Sequence, residues 1–493
     1  MTRLNDAALA ALPADIAKPA YDRSAHGVGI VHLGVGAFHK AHQAIYTEDA
    51  LAAQGGDWRI AGVSLRRADA EEALAPQDGL YTLIERRPEG PSARVVGILA
   101  EVVTAPNDRE RTRALLTAPA TRIVSITVTE KGYGIDPAKG GLDAARADIA
   151  ADLASPQAPR TVVGWIVHAL ALRRAAGVAP FTPLCCDNLP ENGHVLARLV
   201  RDFAERIDPD LAAWIAAEVP FPSTMVDRIT PATTPETHET ARRLTGFDDE
   251  AATETEPFSQ WVVEDRFCAG RPAWEEAGVV LAADVRPYEA MKLRLLNGAH
   301  SLIAYAGAVA GLAYVRDVMA EETLAALVAA HQRDVARTLD PVPGIDLDAY
   351  QRDLRERFAN PAMAHRTVQI AMDGSQKLPP RIVAPAMEAI EAGLPWRSCA
   401  FVVAAWMRFL SGRDQAGAEL PLSDPLADML RAAYASSGDD PDARVKALLS
   451  VEAIFPRTLA SHYGFARAVT TDYRRILAGG VIPAARAALA EIG

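Results

Sequence analysis

The chain has 493 residues, 49% hydrophobic and 23% charged, with a formal net charge of −12. At ~150 residues per domain this length allows two to three domains and a large core. The acidic balance argues against a nucleic-acid or membrane-surface partner, and an anionic ligand would need a local basic pocket. The four cysteines are Cys185, Cys186, Cys268 and Cys399, with no CxxC pair. Neither a disulfide framework nor a zinc ribbon is expected, and reduced thiols fit a cytoplasmic protein. The N-terminus lacks the basic start and continuous apolar stretch of a signal peptide. Apart from the stretch holding Lys292, whose polar residues argue against a span, no run approaches ~18 uncharged apolar residues.

In chain order, Gly27 to Gly34 reads as a buried strand, VGIVHL, that runs into a glycine turn. A helix is expected over Phe38–Ala53, a strand over Trp58–Leu65, and a β pair at Tyr81–Glu85 and Ala93–Leu99. Arg122–Val128 is a further buried strand, Leu142–Ala154 and Thr161–Ala175 are helices, and Phe181–Cys185 is a strand. This alternation predicts an α/β sheet with parallel strands. Beyond residue 285 the patterns are helical: 288–311, 321–337, 347–358, 385–393, 397–411, 425–435, 442–450, 465–478 and 482–490. The expected plan is therefore an α/β domain over 1–284 and a mostly α-helical domain over 285–493, with no internal repeat.

Gly34-Val35-Gly36-Ala37-Phe38 follows a strand and opens a helix, the setting in which glycines let a pyrophosphate approach the backbone. His39 stands where a third glycine would, so the same residues also fit a plain tight turn. After the second strand, Arg66, Arg67 and Asp69 carry mixed signals. An acidic residue there binds the ribose hydroxyls of NAD, and arginine meets the 2′-phosphate of NADP. NAD is the expected cofactor, with NADP left open. Asn188, in CDNLPENG, follows a strand and precedes a helix, where it suits either an active-site edge or a helix cap. Glu130 ends the strand RIVSITV in the same way. Asp227-Arg228 reads as an ion pair.

The segment Lys292-Leu-Arg-Leu-Leu-Asn297-Gly-Ala-His300 puts three polar residues into an apolar run, Tyr288 to Leu312. At about 100° per residue, Asn297 lies roughly 140° and His300 roughly 80° round from Lys292. All three share one sector. A buried lysine is paired or functional, and desolvation lowers lysine pKa values and makes the amine a usable base. A snorkelling lysine with a satisfied Asn and His fits the pattern equally well.

GIVHLGVGAFHKAHQ (29–43), TVTEKGYGID (127–136), CCDNLPENG (185–193), FPSTMVDRITP (221–231), QWVVEDRF (260–267) and YEAMKLRLLNGAH (288–300) together resemble the polyol-specific long-chain dehydrogenases, the group of mannitol 2-dehydrogenase and fructuronate reductase. The resemblance runs along nearly the whole chain. It implies a Rossmann-like N-terminal domain, a helical C-terminal domain, NAD-dependent and zinc-independent chemistry on a small sugar acid or polyol, and a monomer or weak homodimer. By resemblance Lys292 is the general base, Asn188 and Asn297 bind the reacting oxygen, and His300 positions substrate. Glu130 and Glu289 match positions used for proton passage, and Asp227 is expected near substrate. His32, His39 and His42 lie inside the cofactor motif, so no metal is expected there. A nucleotide-binding protein without chemistry would keep the glycine loop but would not need Lys292, Asn297, His300 and Asn188 together.

The substrate question rests on HRTVQIAMDGSQK (365–377). Mannitol dehydrogenases tend to carry arginine where Gln369 stands, and this form looks like fructuronate reductase, which converts D-fructuronate and D-mannonate. Arg366 or Lys377 is the expected partner of a substrate carboxylate, since guanidinium binds carboxylate in a bidentate fork. A solvated Arg366 on a helix is the alternative.

Overall fold

The structure is a computed structural model that describes residues 2–136 and 140–492. The chain divides into two units, Met1–Arg286 and Pro287–Gly493. The sequence patterns put the division after residue 284, a little before Arg286.

The strands of the first unit are β1 (Val28–Leu33), β2 (Arg59–Ser64), β3 (Tyr81–Arg87), β4 (Gly90–Val96), β5 (Leu99–Thr104), β6 (Ile123–Ile126), β7 (Thr182–Cys185), β8 (Thr224–Asp227), β9 (Thr253–Thr255), β10 (Gln260–Glu264) and β11 (Val280–Ala282). The central sheet has the order β5-β2-β1-β6-β7, with every neighbouring pair parallel. Its strands are apolar on both faces because both faces are covered. Val31, Leu33, Ala61, Val63, Val124 and Ile126 face a core shared with Trp165, Leu170, Leu196 and Phe203. Ile30, Ile60, Ile123 and Leu184 face a second core with Ala44, Leu51 and Trp261. The strand order reverses between β1 and β6, and ligands of such sheets bind outside the carboxyl ends of the strands at that switch. Two small sheets, β4-β3-β9 and β11-β10-β8, complete the unit.

Three details differ from the patterns. The segment read as Ala93–Leu99 is two strands, because the chain turns at Gly97-Ile98 and β5 then joins the central sheet. The helix over Phe38–Ala53 breaks at His42 into Ala37–Ala41 and Gln43–Gln54, with His42 at φ −125 and ψ −89. The helix read from Leu142 starts only at Ala147, since Leu142 bridges to Ile135.

In the second unit, helices Ala299–Ala310 and Arg397–Phe409 pack together, and almost every residue in each is buried. Helices Tyr463–Gly479 and Val481–Ile492 pack on the latter. Arg397 joins them, reaching Asp472 Oδ1 at 2.7 Å and Glu491 Oε2 at 2.8 Å. Asp472 is fully buried, so its charge stays in the fold only because it is paired. No helix among the described residues is long and apolar enough to cross a membrane.

Candidate active site

The turn after β1 is built for glycine. Gly34 has φ +100, and a Cβ there would fall 2.1 Å from the Thr127 carbonyl oxygen. Gly36 leads into helix Ala37–Ala41 in extended conformation, with no side-chain cap on the helix N–H groups. That helix is only five residues long, so the exposed glycine backbone contributes more to this turn than a helix dipole does.

Beneath the turn, His32 is fully buried. Its Nδ1 lies 2.9 Å from Ser125 Oγ and its Nε2 2.9 Å from Thr127 Oγ1, while Thr127 Oγ1 donates to the Gly34 carbonyl at 2.9 Å. Burial pushes the His32 pKa down to about 3, against the hydrogen bond to Gly34, so the ring is neutral. His39 stacks on it with centroids 3.4 Å apart, and burial followed by the His32 neighbour holds its pKa well below the usual value. His42 instead lies against Phe38 and Trp261. Among the described residues, no group of three or more His, Cys, Asp or Glu is arranged to hold a metal ion.

Two cavities open at this switch. One, of about 790 Å³, is lined by Gly34, Val35, Ser64, Arg66, Asp69 and Trp165 among others. The other, of about 570 Å³, is lined by Gly36, Ala37, Phe38, Glu130 and Asn188 among others. Both include Thr127 and Thr129 in their walls, so they adjoin. The cofactor residues named from the sequence thus each line one of these two adjoining cavities, the second of which also holds Asn188 and Glu130 in its wall. Arg67 pairs with Asp69 while both remain largely exposed. An exposed pair of this kind contributes little stability.

Asp187 has a role that the sequence did not show. It accepts from the Val128 N–H at 2.8 Å, the Thr129 N–H at 3.3 Å and the Tyr133 hydroxyl at 2.7 Å. It therefore braces the turn after β6. Burial raises its pKa, opposed by the Tyr133 hydrogen bond. Neither Asp187 nor Asn188 caps the following helix; Asn192–Ile207 starts after Glu191, which has φ +47 and makes no side-chain cap. Thr129, beside Glu130, also sits at positive φ, +68. Such left-handed non-glycine residues store strain and cluster at functional sites. Asn192 ties this loop to β8, donating to the Asp187 carbonyl at 3.1 Å and the Thr224 carbonyl at 2.9 Å. Asp227 ends β8 and is buried. Arg228 pairs with Glu85 at 3.0 Å, in place of the pair with Asp227 that adjacency implied. Adjacent residues of a strand point to opposite faces.

In the second unit, the expected single helix is interrupted. Arg286–Met291 is α-helical, Lys292–Gly298 is a π-helix, and Ala299–Ala310 is α-helical again. A π-turn closes i→i+5, so residues five apart stack one above the other. This aligns Lys292 with Asn297, which α geometry would separate by roughly 140°. Lys292 is 8% exposed and His300 7%, whereas Asn297 and Glu289 are half-buried.

The His300 ring packs 4.7 Å from Phe358 and edge-on to His365 at 5.5 Å. Its Nε2 has no hydrogen-bond partner among the described residues. Burial holds its pKa well below the usual value, reinforced by the charges of His365, Arg381, Arg357 and Lys377. Lys377 Nζ donates to the Ile370 carbonyl at 3.1 Å. Arg366 and Gln369 are exposed on the surface of this unit, and the backbone of Arg366 bridges to Tyr314. The cationic surroundings of His300 were not legible in the sequence, because Arg357 and Arg381 come from two other helical segments.

Comparison with known proteins identifies the family and agrees with the fold. Residues 28–276 match the mannitol dehydrogenase Rossmann domain and residues 284–477 the mannitol dehydrogenase C-terminal domain. The chain is 43% identical over 471 residues to D-mannonate oxidoreductase of Escherichia coli, covering 94% of this chain and 96% of the relative. It is 40% identical over 474 residues to mannitol 2-dehydrogenase of Aspergillus terreus, covering 94% of each. Among solved structures, a Pseudomonas fluorescens mannitol 2-dehydrogenase in ternary complex with NAD and D-mannitol superposes with TM-score 0.85 at 38% identity, covering 99% of this chain and 100% of that one. The chain belongs to the mannitol dehydrogenase family of oxidoreductases.

Proposed function

We propose that the protein is an NAD(H)-dependent oxidoreductase that interconverts a secondary alcohol and a ketone on a sugar acid, with D-mannonate and D-fructuronate as the first candidates. The glycine turn at Gly34, the open approach at Gly36 and the adjoining cavities fit a dinucleotide. A bound nicotinamide supplies or removes the hydride. The chain's own residues handle the proton and the oxygen. In oxidation the Lys292 amine takes the hydroxyl proton as the C–H bond breaks; in reduction the Lys292 ammonium returns it to the ketone oxygen. The amide of Asn297 donates to that oxygen and stabilises its developing charge, at a scale of about 3 kcal/mol. His300, kept neutral by its surroundings, offers a ring nitrogen to a substrate hydroxyl. Glu289 and Glu130 are the proposed proton carriers, and Asp227 a polar wall for substrate hydroxyls.

The feature that supports the acid reading is the buried His300 ring, set against His365, with the cationic side chains of Arg381, Arg357 and Lys377 bearing on it. A neutral polyol gains little from such a cluster, whereas a carboxylate is stabilised by it. Arg366 and Gln369, exposed as they are, suit the rim of such a site. A second reading, a polyol dehydrogenase acting on D-mannitol and D-fructose, is favoured by the solved relative bound to D-mannitol. Comparing kcat/KM for D-fructuronate, D-tagaturonate and D-fructose with NADH and with NADPH separates the two. Preference for the uronates with NADH is expected. Preference for fructose would defeat the acid reading, and no turnover of any ketose would defeat both.

A further inference from the structure

We propose that Gln332 is a positioning residue for the reaction: with Arg381 it holds the Lys292–Gly298 turn in its wide form and so sets the relative direction of the Lys292 and Asn297 side chains. The π-turn is the less favourable local choice for a helix, and isolated ones persist where neighbours hold them. Here the neighbours can be named. Gln332, on helix Glu322–Ala336, is fully buried, and its Nε2 donates to the Leu295 carbonyl at 3.3 Å. Its Oε1 accepts from Arg355 Nη1 at 2.8 Å. Arginine can only donate, so Arg355 fixes which end of the amide faces it and leaves the NH₂ aimed at the turn.

The other side of the turn is held as well. Arg381 Nη1 reaches the Asn297 carbonyl at 3.4 Å, and Ser301 Oγ donates to the same oxygen at 3.2 Å. Arg294, within the turn, donates to the carbonyl and hydroxyl of Thr338, both at 2.6 Å. Arg381 belongs to a second π-turn, Pro379–Val383, that packs on the first. Gly298 makes this approach feasible: a Cβ there would stand 3.2 Å from both the Arg381 carbonyl and His331 Nε2. Without these bonds the turn is free to shift, which would swing Asn297 away from the face that Lys292 occupies.

The inference rests on the reading of Lys292 as the base. Gln332→Leu removes both hydrogen bonds at similar volume. Gln332→Glu keeps the acceptor for Arg355 but loses the donor to Leu295. Both variants are expected to lower kcat by about 10- to 100-fold, the scale of a displacement near 1 Å. NADH affinity should stay within about twofold, and the pH profile of kcat should move by at least about half a pH unit because the lysine is misdirected. A crystal structure of either variant should show the 292–298 turn displaced, with the Asn297 side chain turned away from Lys292. If both variants keep kcat within about twofold while only the melting temperature falls, Gln332 is structural and the proposal is overturned. A variant that loses kcat with the wild-type pH profile and the π-turn intact overturns it equally. Should the leucine variant fail to fold, the glutamate variant carries the test. Failure of the base assignment shows separately, as a Lys292→Ala variant that remains active.

Discussion

The two units carry their chemistry in different ways. In the first, the proposed cofactor site is mostly backbone: the Gly34–Gly36 turn, the carbonyl of Thr127 beneath it, and the turn at Val128 and Thr129 that Asp187 braces. They lie at the ends of strands, where a parallel sheet leaves its loops open. In the second, the proposed groups are side chains on a largely buried helical run, Lys292, Asn297 and His300, and their directions depend on helical register. A backbone site tolerates almost any side chain that does not intrude. A register site tolerates a change in the spacing of its residues only where the helical turn changes with it.

The largest expected effect tests the second unit. Lys292→Ala should lower kcat by about 10²- to 10⁴-fold, the usual worth of a general acid–base group. Dissociation of NADH, followed by protein fluorescence, should change by no more than about twofold. A large loss of NADH affinity in this variant would break the division between the units.

Gly34→Ala tests the first unit from the opposite side. Its Cβ would sit 2.1 Å from the Thr127 oxygen at φ +100, so the turn must move. NADH affinity should fall by about tenfold or more, a loss of about 1.4 kcal/mol per decade. Gly36→Ala is the milder control, since its nearest neighbour would be the Gly34 oxygen at 3.8 Å. Equal losses from the two substitutions would show that close backbone approach, and not strain at Gly34, sets the affinity.

The smallest effect is on stability, and here the units should behave alike. Burial lowers the pKa of His32 in the first unit to about 3 and of His331 in the second to about 4. Each is neutral when folded and protonates near 6.5 when unfolded, so the unfolded chain binds more protons below that pH. Stability should fall as the pH drops from about 6.5 toward 4. Glu48 works the other way: burial raises its pKa to about 6, so it adds stability as the pH falls from 6 toward 4.5. Melting temperatures between pH 8 and pH 5 should decline on balance, and His32→Gln should flatten the decline. A melting temperature that rises on acidification would refute this assignment of the histidines.

How far the sequence could be read follows the same division. VGIVHL, the glycines after it and the strand RIVSITV declare themselves through local pattern, and the expected cofactor residues line two adjoining cavities. The helices of the second unit were equally visible as periodicity. The π-turn was not, because a wheel drawn at a constant 100° per residue cannot register a turn that closes at i+5. The bracing role of Asp187 was hidden because its partners, Val128, Thr129 and Tyr133, lie more than fifty positions earlier. The cations around His300 come from separate helical segments, and only the fold gathers them.

The wide turn at Lys292–Gly298 also bears on how such a protein can change over generations. A π-turn amounts to one residue more than the surrounding helix needs, so deleting a single residue between Lys292 and Gly298 would restore a regular ladder. That deletion is open to any lineage, and it favours the stability of the helix. A lineage that took it would set the lysine and the asparagine four residues apart, roughly 40° on an α-helix, so the pair would keep one face. The wide turn and a regular helix one residue shorter are therefore two routes to the same pairing of side chains.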